Sequence, residues 1–192
     1  MSGTAFDPDE LPLIGEPFPV EFANSLYITA DGSIDFLATP DLIKLWFEAV
    51  DTDVTVPTIR RADAAAIREL RDAVHSLLRA VATGTPPAPA AVAILNRYAA
   101  KAPWFLHLAC SHDGHLAVIE RRHGRAIDVF LGQIANETIQ LLDGSAKLLR
   151  RCNGPGCAML FIKNHHKRRW CHQSCGHRAR QAEYYRRQKS RH

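Results

Sequence analysis

RRCNGPGCAMLFIKNHHKRRWCHQSCGHRARQAEYYRRQ, residues 150–188, holds four of the five cysteines of this 192-residue chain and ten of its 24 lysines and arginines. Cys152 and Cys157 are separated by four residues, Cys171 and Cys175 by three, and thirteen residues lie between the two pairs. A tetrahedral zinc site needs this pattern: each pair supplies two sulfurs from one tight turn, and the intervening chain folds back to join them. Gly154-Pro155-Gly156 fills the first pair, so backbone amides can turn toward sulfur. Basic neighbours lower thiol pKa and offset the negative charge of a four-thiolate centre. His165, His166 and His172 lie close by, but four cysteines fill zinc's four positions. The alternative is two disulfides or free thiols, which a reducing compartment disfavours. One Zn2+ per chain is therefore expected on Cys152, Cys157, Cys171 and Cys175. A closed shell of four sulfurs leaves no position for water, so the metal is structural.

The same stretch carries the charge. Residues 150–192 hold twelve Lys or Arg and one acid, Glu183, whereas residues 1–149 hold twelve bases and nineteen acids. The net values are +11 and −7 by subtraction. A basic tail on an acidic body suits a polyanion that touches the tail alone. Lys167, Arg168 and Arg169 lead into the third cysteine, and His177, Arg178 and Arg180 follow the fourth. The run after Cys175 has good helix formers and no proline, so a basic helix is expected there. Arg168, Arg169, Arg178, Arg180, Lys167, Arg186 and Arg187 suit phosphate. His177, Arg178 and Gln181 open the helix and are candidates for base edges. A solvated charged tail is the alternative reading.

The rest of the chain bounds the fold more than the function. Hydrophobic residues make up 46% of the sequence, which points to a globular chain. No apolar run is long enough to cross a bilayer. MSGTAFDPDELPLIGEPF, at the start, has no basic or apolar signal region, so a cytoplasmic protein is expected. PVEFANSLYI (19–28) fits a strand or a helix, and Asp31-Gly32-Ser33 marks a turn. Thr39-Pro40-Asp41 opens a helix with a hydroxyl cap and Pro at the first position. Helical spacing predicts further helices over 62–82, 89–100 and 125–142, the last ended by Asp143-Gly144. WFLHLACS and HLAVIER flank His112-Asp113-Gly114 and read as a β-hairpin. The body is thus α+β, mostly helical with a small antiparallel sheet. Trp46 and Trp104 read as core anchors, and Cys110 as a small filler in a strand. The body shows no Gly-rich phosphate loop, catalytic triad or paired-carboxylate pattern, so no enzyme is expected.

These residues bring the tail to a known family. It resembles the CGNR-type zinc finger, whose marks here are CNGPGC, Leu160-Phe161, RRWC at 168–171 and CGHR at 175–178. The body is similar to the ABATE domain that precedes this finger, on FPVEFANSL and the TPDLIKLWF segment. His177 stands where the family has Asn, and Lys163 where an acid is expected to pair with the Arg168-Arg169 segment. The resemblance implies a bacterial, stress-induced transcriptional regulator that binds DNA.

The expected organisation is a flexible arm over 1–18, an ABATE-like α+β domain over 19–145 that folds without the tail, and a zinc finger with basic helix over 146–192. DNA is the expected partner of the tail. The body is expected to sense a small-molecule effector or to form a homodimer. An RNA- or protein-interaction module without sequence-specific DNA binding is the alternative, with Tyr184 and Tyr185 available for stacking on unpaired bases.

Overall fold

A computed structural model describes residues 11–29 and 32–189. In chain order the elements are helix α1 (Phe18–Asn24), strands β1 (Leu26–Thr29) and β2 (Gly32–Asp35), and helices α2 (Pro40–Ala49), α3 (Asp63–Thr83) and α4 (Pro89–Ala100). Strands β3 (Trp104–Cys110) and β4 (Leu116–Arg122), helix α5 (Ala126–Ser145), strands β5 (Leu149–Arg151) and β6 (Leu160–Ile162), and helix α6 (Gln173–Lys189) follow. The fold is α+β, with three antiparallel two-stranded sheets among the described residues.

PVEFANSLYI contains both a helix and a strand. Pro17 opens α1, and the Ser25 hydroxyl donates to the Phe22 carbonyl at 2.7 Å, turning the chain into β1. The Asp31 part of the expected turn lies outside the described residues. Thr39 caps α2 as its sequence predicts, its hydroxyl accepting from Leu42 N at 3.3 Å. Helix α5 does not end at Asp143-Gly144 but continues to Ser145. Gly144 keeps a negative φ, so a possible stop signal is overridden by the continuing helix.

α3 runs through the centre of the core, with Ile67, Leu70, Val74 and Leu78 buried along one stripe. α1 contributes Val20 and Phe22, α2 Ile43, Trp46 and Phe47, and α5 Leu131 and Ile134. Arg71, also buried on α3, forks onto both carboxylate oxygens of Asp35 at 2.9 Å and ties β2 to the core. Trp46 is a core anchor; Trp104 is not, being 45% exposed on the β3–β4 hairpin. Cys110 at the end of the same strand is exposed as well.

The core continues into the C-terminal segment. Leu149 and Leu160, from β5 and β6, are buried in the cluster that holds Val74 and Phe22. The Asn24 side chain brackets the backbone of Leu160, accepting from its N–H at 2.9 Å and donating to its carbonyl at 3.0 Å. An amide side chain here does for β6 what a neighbouring strand would. Residues 11–17 pack down as well, with Leu11 and Glu16 buried. One oxygen of buried Glu21 accepts from Ile14 N and Glu16 N, both at 2.8 Å, and fixes this segment's path. Among the described residues no helix is long and apolar enough to cross a membrane.

Candidate metal centre

The four cysteines come from two local devices. Cys152 leaves β5, and its N–H donates to the Met159 carbonyl at 2.8 Å, closing a loop across the first pair. Gly156 sits inside that loop at φ +70°, a conformation glycine adopts without strain. Cys171 precedes α6, and Cys175 lies in its first turn. Gly154 faces Cys175 so closely that an added Cβ would lie 2.7 Å from the Cys175 Cβ. The two halves close because this position has no side chain.

All four sulfurs lie within 4.8 Å of one another and all four residues are buried or nearly so. Cys171 Sγ is 3.6 Å from both Cys157 Sγ and Cys175 Sγ. A disulfide would require about 2.05 Å. A zinc tetrahedron with Zn–S of about 2.3 Å has S–S edges of about 3.8 Å, which matches the spacing found. The surrounding donors suit anionic sulfur. Gly154 N and Cys171 N point at Cys152 Sγ at 3.4 and 3.5 Å, and the Arg178 guanidinium donates to Cys175 Sγ at 3.1 Å. The four cysteines are thus positioned to hold one zinc ion, which would supply a fold-closing crosslink. His165, His166 and His172 are exposed and stand outside the cluster.

Without a metal the thiols share protons unequally. Donation from Cys157 and Cys171 holds Cys152 far below the ordinary thiol range. The same bonds raise their donors: Cys157 is pushed up to about 12, and Cys171 is also raised. Zinc must therefore displace protons as it binds.

The body touches this centre. Ile14 and Tyr27 pack against the cysteine cluster, as Trp170 does from within the tail, and burial followed by the nearby Cys157 raises the Tyr27 hydroxyl. Glu16 is the main link. Its Oε2 accepts from Ile162 N at 2.7 Å, and its Oε1 pairs with Arg168 Nη2 at 2.5 Å. Arg168 also donates to the carbonyls of Ile162 and Cys171, at 3.1 and 3.0 Å, and lies over the Phe161 ring. The ion pair expected near Lys163 is thus made from the other end of the chain.

Among the sequence-predicted contact residues, Arg168 is turned inward and Arg178 faces a ligand sulfur. Lys167, Arg169, His177, Arg180, Gln181, Arg186 and Arg187 are exposed. Arg169 stands over the Trp170 ring, and Arg187 pairs with Glu183 one turn earlier. A groove of about 520 Å³ opens between the β5–β6 hairpin and α6, and Arg169, Arg180 and Arg186 line it. So do Arg150 and Arg151 of β5 and Lys163 just after β6, which the sequence reading did not single out as contacts. His177 and Gln181 are not among its lining residues. Glu16 and Asn24 were also missed. A carboxylate and an amide in a segment otherwise able to bury itself were the available hint.

The CGNR zinc finger model matches residues 149–188. The ABATE model, described as "Putative stress-induced transcription regulator", matches residues 16–145. No characterised protein in the curated set matches the chain. With more than half its length covered by the first family and its four-cysteine centre by the second, the chain belongs to the ABATE family and carries a CGNR zinc finger.

Proposed function

We propose that this protein is a transcription regulator that binds DNA through its zinc module, with phosphate seated in the groove between the β5–β6 hairpin and α6. The observation that carries the reading is the groove's charge: Arg150, Arg151, Lys163, Arg169, Arg180 and Arg186 line it against a single acid, Glu183, while the charge of Arg168 is taken by Glu16. Two walls of different origin, one hairpin and one helix, are held at fixed spacing by one metal. That rigidity lets several cations meet successive phosphates without ordering each long side chain separately. His177 and Gln181, on the exposed surface of α6, are the candidates for base contact.

Affinity should fall steeply with salt, with a log–log slope of about −0.9 per phosphate contacted. Arg169→Ala should weaken binding to all duplexes about equally and flatten the slope by about one unit. Gln181→Ala should instead relax preference at one base position, by about 1–3 kcal/mol. Fluorescence anisotropy across a salt series measures both. Salt-insensitive binding, or none at low salt by zinc-loaded protein, would defeat the proposal.

Tyr184 and Tyr185, 60% and 66% exposed on α6, favour a second reading in which unpaired RNA bases stack there. Stronger binding to single-stranded RNA than to duplex DNA at equal salt would select it. The body's part in the proposal is sensing. A cavity of about 410 Å³ lies beside the start of α2, with Phe47, Val56 and Ile59 as apolar walls and Asp41 and the Lys44–Glu48 pair at its edge. Two carboxylates against one ammonium fit a small apolar cation rather than an acid. A compound of this class that raises Tm in the intact protein and not in Ile59→Trp would identify the site; a shift unchanged by Ile59→Trp would exclude this cavity.

A further inference from the structure

Among the described residues nothing covers the β3–β4 hairpin. Its strands pair in full antiparallel register from Trp104↔Arg122 to Cys110↔Leu116, with no third strand among the described residues. None of its residues belongs to the core. The register puts Trp104, Leu106 and Leu108 on one face with Val118 and Leu116. These five are 45%, 63%, 61%, 67% and 67% exposed. An isolated two-stranded hairpin is marginal in water, and scattered apolar residues are normal where a contiguous face is not. β3 carries no Lys, Arg, Asp or Glu, so it also lacks the charges that usually guard an open strand edge.

We infer that this face is the dimer interface of the protein, closed by the same hairpin of a second copy. Three features select a second copy over a different protein. The apolar side chains are spread evenly over both strands, so the face complements itself under a twofold rotation. The charged residues on it, Glu120 and Arg122, stand together at the base and neutralise each other at 2.7 Å, so it offers a foreign partner no charge to recognise. Its size also fits. The five side chains expose on the order of 500 Å² per copy. Small stable interfaces need roughly 600–800 Å² per partner, and Cys110, Glu120 and Arg122 on the same face supply the difference. The other face, with Phe105 stacked on His123 at 5.3 Å, is left outward by this arrangement.

Dimerisation does not depend on what the zinc module binds, so it is measured without nucleic acid. The zinc-loaded full chain should show twice the chain mass by light scattering at low micromolar concentration. Leu106→Lys/Val118→Lys should run at the monomer mass with unchanged zinc content and helical circular dichroism, because both side chains already face solvent. Should that variant lose helix, Leu106→Ser/Val118→Ser takes its place and should weaken the dimer at least tenfold. A wild-type monomer would overturn the inference and leave the face to a different protein. A dimer that survives substitution in folded protein would overturn it too, by placing the interface elsewhere.

Discussion

Stripping zinc from the protein should lower the melting temperature of the whole chain, not only of its tail. Structural zinc in small modules contributes an apparent 10–16 kcal/mol at neutral pH, far more than the core of residues 149–188 can replace. Once the metal is lost, β5 and β6 lose their closure. Leu149 and Leu160 then leave the main core, and Asn24 and Glu16 lose their buried partners. A loss of several kcal/mol in the body lowers Tm by about 10 °C or more at this size. For the same reason residues 1–145 expressed alone should be unstable, although the sequence by itself points to a body that folds without its tail. Calorimetry before and after chelation measures the effect; an unchanged body transition would show that the two parts are independent.

The pH dependence has a defined sign. Zinc needs four thiolates, whereas the metal-free cluster holds Cys152 low and keeps Cys157 and Cys171 protonated. In the metal-free chain, the depressed Cys152 contributes stability that is present above the ordinary thiol value and lost as pH falls. The zinc-loaded chain loses stability in the same direction but more steeply, since four thiols rather than one take up protons on unfolding. Acidification should therefore erase the stability gap between the two forms.

Arg168→Ala should destabilise the fold by about 3–5 kcal/mol, while its neighbour Arg169→Ala stays within about 0.5 kcal/mol of wild type. The cause is Glu16, whose side chain is 2% exposed and would lose the cation that offsets its burial. Three backbone carbonyls would also lose a donor. Glu16→Gln with Arg168→Met should recover most of the loss, because removing both charges costs less than stranding one. Urea melts of the two single variants and the double variant read this directly. Equal stability of Arg168→Ala and wild type would return Arg168 to the set of free phosphate contacts.

The metal centre was legible from the chain because its information is local. Each cysteine pair is one turn long, and zinc chemistry fixes both donor type and number. Helix positions were legible for a similar reason, since burial of one face imposes a period that a sequence displays. Three things required the tertiary structure. The bonds from Asn24 and Glu16 to β6 span 136 and 146 residues, and no spacing rule reaches that far. The roles of Arg168 and Arg169 are opposite although the residues are adjacent and alike; a charge pattern counts cations but does not say which one a buried carboxylate claims. The WFLHLAC strand, apolar on both faces, carries the composition of an interior strand. Only the fold leaves it uncovered, because its neighbours α4 and α5 pack against each other and α3 instead. Sequence determined what could bind metal and where helices would form, both being short-range demands. Which polar groups meet across the chain, and which apolar face is left for another molecule, depended on how the elements finally pack.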